Sequence, residues 1–189
     1  LGFLDSFWKG NDRSQSLFDD LTDFYRNHHS IVYAYFIKVT GSVTDSEELT
    51  QETFFQALKS IHRFQGKCSL KTWLLQIARN VYRKKVRTWA RDKSVFISED
   101  VELCGDETLN PQRISQQKQA RNEIHIILRQ MPEDYRDVLI LKEIEGLSHA
   151  EIAQILGKTP QTTKVLLHRA KQKFKDLYQN EVVYREETM

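Results

Sequence analysis

Three prolines and seven glycines in 189 residues leave few places where a helix must stop, so long helices are the expected architecture. The only cysteines, Cys68 and Cys104, form no C-x-x-C pair and have no histidine at ligand spacing, which argues against a zinc site or a disulfide framework. Reduced thiols and the lack of a secretory leader lead us to expect a cytoplasmic protein. No apolar run approaches the roughly 20 residues of a membrane-spanning helix. A Gly-rich phosphate loop, an H-E-x-x-H and a Ser/His/Asp signature are all missing, so neither an enzyme nor a cofactor is expected.

What the chain does have is charge sorted by sign. The net charge is only +2, yet residues 66–91 hold eight Lys or Arg and no Asp or Glu. Residues 42–58 hold no base at all, and six acids meet one lysine in residues 92–110. Such segregation predicts at least two kinds of partner surface.

The basic stretch, GKCSLKTWLLQIARNVYRKKVRTWAR, repeats Leu70, Trp73, Leu74, Ile77, Ala78 and Val81 at helical spacing. Lys71, Arg79, Arg83, Lys84 and Arg87 are expected to point away from that buried stripe. Cations interleaved with Trp73, Tyr82 and Trp89 suit a polyanion whose bases can be stacked upon. Gly66 breaks the chain before this helix and Ser69 can cap it. The loop with Phe64, Gln65, Lys67 and Ser69 is of a kind that can hold an extruded base.

Upstream, residues 15–40 read as two helices broken near His28-His29, closed by Gly41. Thr44 or Asp45 is expected to cap the next helix, with Leu49, Thr53, Phe54, Ala57, Leu58 and Ile61 buried. Its other side carries Asp45, Glu48, Gln51, Glu52 and Gln56: either a solvated acidic face or a dock for a basic partner. Residues 92–118 lose periodicity and read as a flexible acidic linker. A helix then resumes with Ile124, Ile127, Leu128 and Met131 inward, followed past Pro132 by one lined with Tyr135, Val138, Leu139, Leu141 and Ile144.

The sharpest local pattern is LSHAEIAQILGKTPQTTKVLLHRAKQKF. Ser148 and Glu151 make a capping box, Gly157 permits a left-handed turn residue, and Thr159-Pro160 opens a second helix. Two short helices about a Gly turn form a helix-turn-helix, whose second helix enters a major groove. That helix exposes Gln161, Thr162, Lys164, Val165, His168 and Arg169 to base edges, while Lys171, Lys173 and Lys175 suit phosphates.

Together these motifs resemble bacterial RNA polymerase sigma factors of the extracytoplasmic-function group, sigma-70 family, over about residues 15–180. DSEELTQETFFQAL is similar to that family's D-A-E-D-L-V-Q-E-T-F segment. The resemblance implies that Asp45, Glu48, Gln51, Glu52 and Phe55 contact core RNA polymerase at the β′ clamp helices. RFQGKCSLKTWLLQIARN resembles F-R-G-x-S-x-x-T-W-L-x-x-I-A-x-N, which recognises and opens the −10 element. That implies strand capture by Phe64, Gly66, Lys67, Ser69, Thr72, Trp73 and Asn80, with Lys71, Arg79, Arg83 and Lys84 as basic support. LRQMPEDYRDVLILKEIEGLSHAEIAQILG is similar to the family's fourth conserved region. The implication is a phosphate contact by Arg136 and −35 reading by the helix from Pro160. Gln161-Thr162-Thr163-Lys164-Val165-Leu166 departs from the family's frequent G-T-V-K-S-R, which suggests an altered −35 preference.

The expectation is an all-α protein of two small domains, residues 14–91 and 119–180, joined by a linker over 92–118. An extension over 1–13 and a tail over 181–189 flank them. The partners implied are core RNA polymerase, promoter DNA and an anti-sigma factor. The rival reading is a stand-alone helix-turn-helix regulator, which leaves the acidic helix and the aromatic loop without a role.

Overall fold

The computed structural model describes residues 14–92 and 122–186, all helices and short connections with no strand among them. The extension over 1–13 and most of the linker, Cys104 included, lie outside the described residues. Helix α1 spans Ser14–Thr40, α2 Val43–Ser60 and α3 Leu70–Asp92. In the second half α4 covers 122–130, α5 Glu133–Leu139, α6 His149–Leu156 and α7 Pro160–Glu186.

Helix α1 runs unbroken through His28-His29, where two helices were expected. Neither histidine interrupts the ladder. His28 Nδ1 lies 2.9 Å from the Phe24 carbonyl one turn back, and the Phe24–His28, Tyr25–His29 and His29–Tyr33 rings contact one another along the helix. With no Gly or Pro there, side-chain contacts at i,i+4 reinforce the helix. Gly41 ends α1 at φ 71°, its N–H bonded to Ile37 O at 3.0 Å.

Ser42, not Thr44 or Asp45, caps α2: its hydroxyl accepts from the Asp45 N–H at 3.2 Å. The turn at Gly41 ends so abruptly that the next residue is already the cap. Asp45 keeps its expected place in the first turn, beside the positive end of the dipole. Leu49, Thr53, Phe54, Ala57 and Ile61 are buried as expected, but Leu58 is 40% exposed. After a single 3₁₀ turn at Ile61–Arg63, Gly66 adopts φ 66°. Ser69 then accepts from the Thr72 N–H at 3.1 Å and starts α3.

In the second half His125 and Ile127 are buried, while Ile124 faces solvent. Helix α5 widens at its end into a π turn over Ile140–Ile144, with Glu145 N–H bonded to Ile140 O. The extra residue per turn lets Ile140 and Leu141 both enter the core and rotates Ile144, expected inside, to the surface. The capping box at Ser148–Glu151 and the left-handed Gly157 form as expected. Thr159 accepts from the Thr162 N–H at 3.1 Å to open α7.

The two halves share one core. Tyr35, Phe36, Leu74, Leu75 and Ala78 from the first join Leu128, Val138, Leu141 and Ile152 from the second in one contiguous buried cluster. Helix α3 packs against α6, and α5 against α7. The linker reading therefore describes the sequence between two domains that are nonetheless packed together.

Candidate nucleic-acid interface

The loop before α3 gathers the aromatic and small residues expected to hold bases. The Phe64 and Trp73 rings lie 5.1 Å apart, tilted by 51°. Ser69 and Thr72 hydroxyls meet at 2.8 Å, which fixes the first turn of α3 beneath them. Gly66 and Lys67 are exposed, and a Cβ at Gly66 would meet nothing within 4 Å. The glycine is required for its positive φ and not for close approach. Burial raises the Cys68 thiol above its ordinary pKa, with Glu151 adding to it, so the thiol is not activated.

A groove of about 700 Å³ runs between α2 and α3, lined by Glu48, Gln51, Glu52 and Phe55 on one side and by Asn80, Lys84 and Lys85 on the other. Four of the five residues expected to meet core polymerase thus share one wall, and Asp45 sits in the first turn of the same helix. Phe55 is 54% exposed, with Lys59 Nζ 5.0 Å from its ring centre. Gln56 donates to Glu52 at 2.7 Å, and Lys85 pairs with Glu48 at 2.6 Å. Further along α3, Asn80, Arg83, Lys84, Arg87 and Arg91 line a smaller basic cleft.

Four of the basic or polar −10 candidates do not face solvent freely. Arg79, expected on the open side of α3, is 4% exposed. Its Nε donates to Asp137 at 2.6 Å and its Nη2 to Asp134 at 2.8 Å. Burial works against the guanidinium's charge, but Asp137 outweighs it and the proton is held more tightly than usual. For the fully enclosed Asp137 burial is the stronger effect, and its pKa is raised despite Arg79. Arg83 Nε lies 2.8 Å from Glu133, Lys71 donates to Glu145 O at 2.9 Å, and Thr72 donates to Glu151 at 3.2 Å. Arg136, the expected −35 phosphate contact, lies 5.4 Å over the Tyr82 ring.

The second helix of the helix-turn-helix is open. Gln161, Thr162, Lys164, Val165, His168 and Arg169 all lie exposed along α7, while Thr163 and Ala170 are buried behind them. Thr163 also holds the turn, donating to His149 O at 3.2 Å and Pro160 O at 2.8 Å. Lys171 is paired with Glu143 at 2.9 Å. The exposed row carries amide, hydroxyl, ammonium, guanidinium and methyl groups, the set that reads base edges.

Sequence reasoning missed the acids that meet α3. Glu133, Asp134 and Asp137 sit in a segment whose periodicity marks Val138 and Leu141 as buried and says nothing of the carboxylate just before them. Lys38 and Glu145, paired at 3.0 Å across 107 residues, left no local signal either. His125 is likewise enclosed against Gly41; burial, then Arg129 and Arg136, push its pKa down to about 4.

Two family models match the chain: Sigma-70 region 2 over residues 24–91 and Sigma-70, region 4 over residues 121–174. The ECF RNA polymerase sigma factor SigX of Bacillus subtilis is 32% identical over 169 residues, covering 87% of this chain and 85% of that one. The ECF sigma factor SigE of Mycolicibacterium smegmatis is 29% identical over 167 residues, and the match spans 88% of this chain but only 63% of SigE. Among solved structures, the sigma factor RpoE in complex with the anti-sigma factor NepR from Bartonella quintana shares the fold. Its TM-score is 0.67 at 23% identity, covering 85% of this chain and 97% of that one.

Proposed function

Because the chain belongs to the sigma-70 family, in its extracytoplasmic-function group, we propose that it is an alternative sigma factor that brings core RNA polymerase to a promoter and helps to open it. The observation that carries this is the presence, in one chain, of a region 2 and a region 4 whose open surfaces differ in kind. The α2 wall is acidic and amide-rich, the Phe64–Trp73 loop is aromatic, and α7 offers base-edge groups.

In this mechanism Glu48, Gln51, Glu52 and Phe55, with Asp45 nearby, dock on the β′ clamp helices. Helix α7 enters the major groove of the −35 element, where Gln161, Thr162, Lys164, Val165, His168 and Arg169 meet base edges. Lys171 and Arg136 take phosphates, which set register without specifying sequence. Phe64, Gly66, Lys67, Ser69, Thr72, Trp73 and Asn80 then hold unstacked bases of the −10 element. Lys71, Arg79, Arg83 and Lys84 neutralise the strand. Each stacked base contributes about 1–3 kcal/mol towards opening. The polymerase performs the chemistry; this chain supplies binding alone, in the cytoplasm, with no cofactor. The domain limits that suit these tasks are 14–91 and 119–180. RpoE is bound to an anti-sigma factor, and we propose the same class of partner here.

The test is holoenzyme assembly. Added to purified core polymerase, the chain should co-purify with it and confer opening of promoter duplex that core alone leaves closed. A chain that ignores polymerase and binds palindromic duplex as a dimer would instead be a stand-alone regulator.

A further inference from the structure

The row of acids at the start of α5 lies against Arg79 and Arg83, two of the cations of the basic helix α3. Arg79 is held by Asp137 at 2.6 Å and Asp134 at 2.8 Å, with Glu133 at 3.6 Å, and Arg83 lies 2.8 Å from the same Glu133. The contact is not a surface accident, since Asp137 is fully buried and Arg79 nearly so. Around it runs a line of bonds that all join the first half to the second. Tyr35 OH donates to Asp137 at 3.4 Å, Lys38 to Glu145 at 3.0 Å, Lys71 to Glu145 O at 2.9 Å, and Gln76 to Gln154 O at 3.3 Å.

This packed form cannot serve a promoter. Elements at −35 and −10 lie about 25 base pairs apart, roughly 85 Å of duplex at 3.4 Å per pair. Here α3 and α6, one from each half, touch directly. The seam is also built to release. A buried ion pair adds little net stability, because desolvation offsets most of the attraction, yet removal of one partner is costly. Arg136 Nε has no hydrogen-bond partner among the described residues, and its guanidinium lies against the first half, at Tyr82. An enclosed group left unpaired counts against the closed state.

We propose that Glu133, Asp134 and Asp137 are an intramolecular mimic of promoter phosphate, which closes the second domain over the first and competes with −10 DNA for Arg79 and Arg83. The consequence for promoters rests on the sigma-factor reading; the closure itself rests on geometry alone. Polymerase and promoter then act on a pre-existing equilibrium, and apparent affinity is reduced by the fraction of chain that is open.

The experiment pairs small-angle X-ray scattering of the free, full-length chain with titration of each variant into core polymerase on a forked promoter. Asp137→Asn keeps the side-chain size and removes the charge that faces Arg79. Lys38→Glu perturbs the seam at a second point, outside the residues assigned to DNA or polymerase, and Lys38→Glu with Glu145→Lys restores opposite charges. For wild type the packed body should scatter near the compact-domain radius of gyration, about 16 Å for this length, plus the contribution of the ends. Each single variant should expand by several ångström, and Asp137→Asn, at the enclosed pair, should shift the closed-to-open ratio on the order of a hundredfold. The chain concentration for half-maximal fork opening should fall at least tenfold, and the double variant should return both readings towards wild type. Expansion without that fall would overturn the competition; unchanged scattering in both single variants would overturn the latch. If no variant, wild type included, opens DNA with polymerase, the sigma-factor reading fails, while the scattering still reports on closure.

Discussion

Replacing Trp73 by alanine should separate promoter opening from promoter recruitment. The indole is half-buried: one side packs on the shared core, and its ring meets Phe64 at 5.1 Å. A base stacked there contributes about 1–3 kcal/mol, which converts to roughly a 5- to 150-fold loss in the opening equilibrium. Stability falls as well, by less than the 3–5 kcal/mol typical of a fully enclosed Trp, because part of this ring is already in water. Recruitment depends on α7 and on the α2 wall, neither of which Trp73 touches in the role assigned to it. The assay is permanganate reactivity of unpaired thymines in the holoenzyme complex, beside anisotropy of the same holoenzyme on duplex promoter. Trp73→Ala should lose reactivity and keep duplex affinity, and Trp73→Phe should recover much of the opening. Equal loss in both assays at a temperature where the variant is folded would refute the stacking role.

Three further outcomes follow from other surfaces. Glu52→Lys puts a cation into the acidic wall beside Glu48; affinity for core polymerase should drop at least tenfold with melting temperature nearly unchanged, as read by co-sedimentation and calorimetry. Lys164→Ala, at an exposed position of α7, should weaken promoter binding and relax specificity at the −35 base it meets, as read by competition between promoter variants. His125 is held neutral down to about 4, below its ordinary 6.5, by burial and by Arg129 and Arg136. The unfolded chain therefore takes up a proton first as pH falls from 6.5 towards 4, and this residue's contribution to stability is lost over that window. Denaturant melts of wild type against His125→Gln across that range should show the steeper pH dependence in wild type.

Much of the fold was legible because its signals are local. Helical periodicity predicts α2 and α3, and capping chemistry predicts Ser69, the Ser148–Glu151 box, Gly157 and Thr159. Each depends on residues within a turn or two of one another. The larger misses have a common cause in contacts distant along the chain. Arg79 looks like any cation on a basic face until Asp137, 58 residues away, encloses it. Ile124, Ile144 and Leu58 fit an apolar stripe by spacing, but which side of a helix is covered is decided by the elements that reach it. The cap at Ser42 and the unbroken α1 are smaller cases, where two neighbouring signals competed and ring contacts at i,i+4 outweighed a pair of histidines. For the interface the same division holds. The acidic face of α2 and the exposed row on α7 follow from helix faces alone, whereas the cover over Arg79 and Arg83 is a property of the whole chain.

Run-off transcription tests the central claim most directly: purified core polymerase and fragmented DNA from the source genome, with and without this protein. The account predicts new discrete transcripts that share −35 and −10 motifs upstream of their starts and vanish when the chain is omitted. The contradicting result is an unchanged transcript pattern together with polymerase-independent binding of the chain to duplex DNA.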